Sequence, residues 1–249
     1  MRVFDSHFHI IDSAFPLVPN QGYLPDEYTH QHYLADTKPY ELVGGAVVSG
    51  SFQQFDQGYL VHALEQLGSG FVGVTQLPHT VSDGELSRLH QCGVRALRFN
   101  VNRGGSEDLE HLHAFAMRVY EMLGWHVELY IHAKQLAPIK DTLLKLPAVS
   151  IDHLGLGKEG FRDLLDLVES GVKVKATGFG RVDFDVAQAL KDIVSANPNA
   201  LMFGTDLPCT RAPRPYCHED FQLVMDAFDE ATAEKIFYKN ACEFYGVSP

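Results

Sequence analysis

The strongest constraint on the fold is a regular alternation of apolar runs and helix-compatible segments along the whole chain. Eight runs are rich in β-branched and apolar residues, and they read RVFDSHFH, LVGGAVVSG, GFVGVTQL, VRALRFNV, HVELYIHA, AVSIDHLG, VKVKATG and ALMFGTDLP. Most of them are apolar throughout, which is typical of strands buried on both faces. Strands that alternate with helices indicate right-handed βαβ units and a parallel sheet.

The number of repeats selects among parallel-sheet folds. Eight strand–helix repeats in 249 residues match the size of a (β/α)8 barrel, whereas a doubly wound open sheet usually has fewer strands. We find no linker, low-complexity tract or break in composition that would divide the chain. The sequence therefore predicts an α/β protein made of one (β/α)8 TIM-barrel domain over residues 1–249.

Composition limits the classes of ligand and the compartment. The formal net charge of −12 opposes binding to nucleic acid or to an anionic membrane, so small molecules are the expected ligands. The chain starts directly in strand-like sequence, without the features of a secretion signal, and holds no apolar stretch of about 20 residues. Its four cysteines are dispersed. We expect a soluble, cytoplasmic protein with reduced thiols; these features leave a homo-oligomer open.

Metal-ligand residue types stand where several predicted strands end. The first run ends on His7 and His9, the fifth on His132, the sixth on His153 and the eighth on Asp206. Active sites of (β/α)8 barrels lie at the C-terminal ends of the strands. Residues i and i+2 of a strand point to the same side, so His7 and His9 both face the barrel interior. Each residue alone could be a core histidine or a turn residue, but together they predict one site.

Two further His-x-His pairs have a different sequence context. His111 and His113 fall in a helical segment, where a spacing of two residues separates side chains by about 200°. His30 and His32 fall in the long connection between residues 11 and 41, which we predict to be an ordered loop. Both pairs are therefore interpreted as surface or lid residues.

Cationic side chains cluster near the same predicted strand ends. They are Arg98, Arg103, Lys175, Arg181, Arg211 and Arg214. Loop arginines are commonly solvated, but the planar guanidinium suits bidentate binding of carboxylates, and six cations at one end of an acidic protein predict a carboxylated small-molecule substrate. We assign all of them except Arg214 to the substrate site, together with the polar strand-end residues Ser49 and Asn100.

Taken in order, these strand ends resemble those of the amidohydrolase superfamily. GVRALRFNVNRGG, SIDHLG, VKVKATGFGR and FGTDLP are most similar to the amidohydrolase-2 branch, which contains lactonases and non-oxidative decarboxylases. Binuclear members of the superfamily carry a carboxylated lysine after the fourth strand, where this chain has Arg98 and Asn100. The resemblance therefore implies a single divalent ion, zinc before manganese, although lactonase-like members include enzymes that work without metal.

The residues and the resemblance together predict a hydrolase, specifically a lactonase acting on a carboxylated substrate. In this hypothesis Asp206 is the general base, and a metal held by His7, His9, His132 and Asp206 activates water. His153 is either a further ligand or a group that stabilises the oxyanion. Two alternatives stay open: a decarboxylase on the same scaffold and a ligand-binding barrel without catalysis.

Overall fold

The computed structural model describes residues 1–247, and its centre is one parallel sheet whose eight strands follow chain order. This confirms the predicted (β/α)8 barrel. The strands are β1 Arg2–Phe8, β2 Glu41–Val48, β3 Phe71–Thr75, β4 Val94–Phe99, β5 His126–Leu129, β6 Val149–Ile151, β7 Lys173–Ala176 and β8 Leu201–Phe203.

Backbone hydrogen bonds beyond the end of β8 bring the last strand to the first. The Asp206 amide donates to the His7 carbonyl at 2.7 Å, and the His9 amide donates to the Leu207 carbonyl at 2.8 Å. Gly204 makes this approach possible, since a Cβ there would lie 2.9 Å from the His7 amide nitrogen. The join therefore places the His7/His9 pair directly beside Asp206.

Helices pack around the sheet and follow most of the predicted segments. They are α1 His30–Asp36, α2 Gly58–Leu67, α3 Asp83–Gln91, α4 Leu112–Leu123, α5 Lys140–Leu143, α6 Phe161–Glu169, α7 Val186–Ala196, α8 His218–Ala227, α9 Glu230–Glu234 and α10 Asn240–Tyr245.

Two segments differ from the sequence expectation. The segment QLAPIKDTLLKL forms mostly 3₁₀ turns, with α5 as its only α-helical turn, because Pro138 lacks an amide proton and clashes with the preceding helical turn. His30 and His32 lie in the short helix α1 and not in a loop; this helix is held by the buried Tyr33.

The barrel interior is apolar in one part and polar in the other. Alternate residues of neighbouring strands, among them Ala46, Val48, Val72 and Val74, form a buried apolar cluster. Tyr245 of α10 stacks on Phe4 of this cluster, with ring centroids 5.4 Å apart. Beyond the apolar cluster the interior becomes polar and charged, and this is where the predicted site residues lie.

No helix within residues 1–247 has the length and apolar character needed to cross a membrane.

Candidate active site

Three histidines and one aspartate converge at the C-terminal end of the barrel. The Nε2 atoms of His7, His9 and His153 lie 3.9, 3.8 and 4.0 Å from Asp206 Oδ1. All four side chains are buried. His153 and Asp206 follow directly after strands and adopt left-handed backbone conformations, with φ of 50° and 62°. Such conformations cost free energy and are concentrated at functional sites.

The hydrogen bond at His9 determines which of its nitrogens carries the proton. His9 Nδ1 lies 2.7 Å from the Val48 carbonyl oxygen, which can only accept, so Nδ1 is the donor. Burial and the charge of Arg98 lower the pKa of His9 to about 3, so the ring is neutral at pH 7. His9 therefore presents a bare Nε2 lone pair to the site, suited to accept a hydrogen bond or to bind a cation.

The two oxygens of Asp206 have different environments. Oδ2 accepts a hydrogen bond of 2.6 Å from Arg181 Nε, while Oδ1 is buried without a hydrogen-bond partner among the described residues. Burial raises the pKa of Asp206, although the charge of Arg181 opposes the increase. Arg181 thus fixes the carboxylate in position, and Oδ1 is left free to receive a proton or a ligand.

A buried ion pair lies beneath the histidines. Lys175 donates to Glu128, and both side chains have no exposed surface. Glu128 also accepts hydrogen bonds from Tyr245 at 2.5 Å and interacts with His126 Nε2 at 3.0 Å. Lys175 Nζ lies 3.4 Å from His7 Nδ1. The structure thus corrects the prediction that Lys175 binds substrate: it lies one layer below the cavity and supports His7 from inside the barrel.

A second buried pair connects the fourth and sixth strands. Arg98 donates to Asp152 Oδ2 through Nη2 at 2.8 Å and to the Ser49 carbonyl through Nη1 at 2.6 Å. Burial raises the pKa of Asp152, but the charges of Arg98 and Lys175 outweigh this effect and hold the pKa below its ordinary value. The other oxygen, Oδ1, lies 3.5 Å from His7 Nδ1. Asp152 is therefore ionised and helps to orient His7.

A cavity that is open to solvent lies above these groups. Five residues predicted to bind substrate line it: Arg98, Asn100, Arg103, Arg181 and Arg211. Arg211 donates to Asn20 and lies over the Tyr23 ring, at 4.5 Å from its centroid. Arg103 donates to Gln21 at 3.4 Å. Neither of these two guanidinium groups contacts a carboxylate within residues 1–247.

Two other predicted site residues lie away from the cavity. His132 receives a hydrogen bond from the Lys134 amide at 3.4 Å and packs against Gly157. This is because β5 ends at Leu129, and the chain has turned into a 3₁₀ segment by residue 133. The Ser49 hydroxyl is buried and bonded to Tyr59 at 2.5 Å. The structure therefore corrects the assignments of His132 as a metal ligand and Ser49 as a substrate contact.

Tyr130 occupies the place that the sequence analysis gave to His132. It lines the cavity, 5.1 Å from the His153 ring and 5.3 Å below the Arg98 guanidinium carbon, measured to ring centroids. Glu128 and Asp152 were also missed. An available signal was that Glu128, Tyr130 and Asp152 are polar positions within otherwise apolar strand-end runs.

The donor atoms present suit a divalent cation in one arrangement. One ligand atom each from His7, His153 and Asp206 lie within 4.8 Å of one another. His7 Nε2 and Asp206 Oδ1 both lack hydrogen-bond partners among the described residues. Imidazole nitrogen with carboxylate oxygen is a donor set that zinc, manganese and iron accept. The donor geometry of His7, His153 and Asp206 therefore fits a metal ion, and His132 is not part of this donor set.

The barrel carries His-x-His at the end of the first strand, a histidine after the sixth and an aspartate after the eighth, which is the pattern expected of the amidohydrolase superfamily. Residues 4–247 match the model of the family described as amidohydrolase. The chain belongs to this family, as its strand-end motifs predicted.

The relatives agree with this assignment. A 2-pyrone-4,6-dicarboxylate hydrolase of Comamonas testosteroni is 30% identical over 156 residues, which are 61% of this chain and only 51% of that protein. The match thus spans about half the length of this relative. A probable 2-pyrone-4,6-dicarboxylic acid hydrolase of Acinetobacter baumannii, solved with citric acid bound, has a TM-score of 0.87 at 23% identity and covers 99% of this chain and 100% of that one. An Agrobacterium tumefaciens protein has the same TM-score at 20% identity, with 99% and 96% covered. At these identities the two structures support the fold alone.

We expect Lys175→Met to lower the free energy of unfolding by about 3–5 kcal/mol, because it leaves the Glu128 carboxylate buried without its cation. Lys173→Met is the matched control on the same strand. Lys173 is partly exposed and donates to the Asn199 carbonyl, so its loss should cost less than about 1 kcal/mol. Urea unfolding of both variants measures the difference, and equal losses would contradict the buried-pair account.

Proposed function

We propose that the chain hydrolyses a small lactone that carries two carboxylates, of the kind named for its Comamonas testosteroni relative, 2-pyrone-4,6-dicarboxylate. The observation that carries the proposal is the charge balance of the site. Three cations are each paired with a carboxylate: Arg98 with Asp152, Lys175 with Glu128 and Arg181 with Asp206.

The two remaining cations set the charge of the ligand. Arg103 and Arg211 line the cavity without a carboxylate partner in the part of the chain described. Five cations against three carboxylates leave an excess of two positive charges, which a dicarboxylate would neutralise. Guanidinium groups bind carboxylates with two parallel hydrogen bonds, so these arginines would also orient the ring.

We assign the role of general base to Asp206. Its Oδ1 faces the space bounded by the Nε2 atoms of His7, His9 and His153, and a water in that space would be oriented by Oδ1 and by the bare Nε2 of His9. In the proposed step the water oxygen bonds to the lactone carbonyl carbon while Oδ1 takes its proton. The carbonyl oxygen becomes negatively charged as the new bond forms.

Ring opening then requires stabilisation of charge and return of a proton. The guanidinium groups of Arg98 and Arg181 line the cavity beside Asp206 and are fixed by their carboxylates, so they supply preorganised positive charge to the oxyanion. When the ring C–O bond breaks, the leaving oxygen receives the proton that Asp206 took. His153 borders the same space, with Nε2 at 4.0 Å from Asp206 Oδ1, and we assign it the role of assisting this transfer.

His7, His153 and Asp206 would hold a divalent ion if one binds. Such an ion supplies a water of lowered pKa and polarises the carbonyl. The local charge opposes it, however. Burial lowers the pKa of His7 and His153 most, and Arg98 and Arg181 lower both further. The positive charges that disfavour imidazolium also disfavour a dication, and the dicarboxylate is already balanced without one.

Removal of metal is therefore expected to leave lactone hydrolysis unchanged. The measurement is the initial rate on 2-pyrone-4,6-dicarboxylate before and after dialysis against a chelator, with elemental analysis of both samples. If the rate is lost with the metal and returns when zinc or manganese is added back, the charge-balance argument is wrong and the ion is part of the catalytic site.

Asp206→Asn should lower kcat by between about 100- and 10,000-fold, because the amide has the shape of the carboxylate but cannot accept the proton of water. Asp192→Asn is the matched control, since Asp192 is partly exposed on α7 and, among the described residues, its side chain accepts a hydrogen bond from Gln188 on the same helix. Circular dichroism confirms that both variants fold. An Asp206→Asn variant with wild-type kcat would exclude Asp206 as the base.

Arg211→Gln is expected to raise KM for the dicarboxylate by about tenfold or more, because a charged hydrogen bond to a carboxylate contributes about 1.5–3 kcal/mol. Arg214→Gln is its control, since Arg214 is paired with Asp220 at 2.6 Å and does not line this cavity. Steady-state kinetics on the dicarboxylate and on its monocarboxylate analogue measures the effect. The dicarboxylate should lose more than the analogue, and equal losses on both would contradict the pairing of two arginines with two carboxylates.

A further inference from the structure

A second cluster of metal-ligand side chains lies outside the active site, at the rim of the barrel. It consists of His79, in the connection between β3 and α3, and of Glu107 and His111, in the connection between β4 and α4. We call these three residues the rim cluster. None of them lines the substrate cavity.

The three potential ligand atoms of the rim cluster lie close together. One ligand atom from each residue lies within 4.8 Å of the others. Glu107 Oε2 lies 2.9 Å from His79 Nδ1, and the rings of His79 and His111 stack with centroids 3.7 Å apart. Glu110 adds a second carboxylate, with Oε1 at 3.2 Å from His111 Nε2. Side chains from two separate connections are thus held together by a carboxylate and ring stacking.

From this arrangement we infer that the rim cluster binds a divalent transition-metal ion, with His79, Glu107 and His111 as protein ligands and Glu110 or water completing the coordination. Two imidazoles and a carboxylate form a donor set that suits zinc, nickel and copper. Tetrahedral zinc with ligand distances of 2.0–2.2 Å places its donors about 3.3 Å apart. His79 is exposed and His111 partly so, so the proposal requires that their side chains rotate to bring the donors to that spacing.

Nearby groups make this site electrostatically unlike the catalytic one. Its neighbours Glu110 and Asp108 are acidic, and no arginine or lysine forms an ion pair with Glu107 among the described residues. Partial burial raises the pKa of Glu107, but hydrogen bonds from His79 and Asp108 outweigh this effect and lower it. The Glu107 carboxylate is therefore ionised at neutral pH. Arg118 donates to the His79 carbonyl at 3.0 Å and is itself paired with Asp83, so the carboxylates of Glu107 and Glu110 are the charged groups that face the imidazoles of the cluster.

A bound ion would fasten one substrate loop to its neighbour. The connection that supplies Glu107 also carries Asn100 and Arg103, and the amide of Arg103 donates to Asn100 Oδ1 at 3.1 Å. The ion would link this connection to the one that carries His79. Amides of residues 100–111 should therefore exchange with solvent more slowly when the ion is bound.

The test uses the full-length protein, stripped of metal by a chelator and titrated with zinc chloride and nickel chloride by calorimetry. His79→Ala and His111→Ala are compared with His113→Ala, a matched control two residues away that is exposed and outside the cluster. We expect His79→Ala and His111→Ala each to lose one binding event that the wild type and His113→Ala retain. Crystals soaked in nickel chloride should show an anomalous peak between His79, Glu107 and His111.

Two results would overturn the inference. One is undiminished stoichiometry and affinity in both His79→Ala and His111→Ala. The other is a soaked crystal with no anomalous peak at the rim, or with a peak only beside Asp206, which would leave the rim cluster as an ion pair that holds two loops together. Loss of binding in His113→Ala equal to that in His111→Ala would also count against it. Neither readout depends on catalysis, so the test is independent of the proposed reaction.

Discussion

The interior of the barrel depends on the pairing of buried charges. Lys175 and Glu128 have no exposed surface, and Arg98 and Asp152 have almost none. Burying any one of these ions alone would cost several kcal/mol, so each is stable only with its partner. These pairs form a layer between the apolar cluster around Tyr245 and the open cavity. Asp152 holds the Arg98 guanidinium, and Lys175 and Asp152 both lie beside His7 Nδ1. The buried pairs therefore determine the geometry of the site above them.

The same charges explain the chemical character of the site. Burial, reinforced by the positive charges of Arg98 and Arg181, lowers the pKa of His7 and His153. Both arginines are fixed by carboxylates and present constant positive charge to the cavity. Asp206 retains one free oxygen because Arg181 binds only the other. Among the described residues, the neutral acceptor at His9, a carboxylate oxygen of Asp206 without a hydrogen-bond partner and two arginines without a carboxylate partner form an environment suited to an anionic substrate and a water nucleophile. The rim cluster, where acidic groups dominate, has the opposite preference.

The sequence predicted the fold correctly, but it did not predict how deep individual side chains lie inside the barrel. Eight parallel strands follow from local periodicity, and the family follows from motifs such as FGTDLP. Alternation along a strand shows which face of the sheet a side chain lies on, but not how deep in the barrel it lies. For this reason Lys175 was predicted to line the substrate site, although it is buried beneath the cavity. His132 was misplaced because the apolar run continues beyond the last strand residue, Leu129. Ion pairs between strands such as Arg98–Asp152 are set by the barrel closure, which no local pattern contains.

The central claim is that water, activated by Asp206, opens a lactone ring. The most direct measurement is product analysis after reaction with 2-pyrone-4,6-dicarboxylate in ¹⁸O-labelled water. The account predicts one labelled oxygen in a new product carboxylate and no release of carbon dioxide. Carbon dioxide released without incorporation of the label would contradict it and would identify the protein as a decarboxylase on the same barrel.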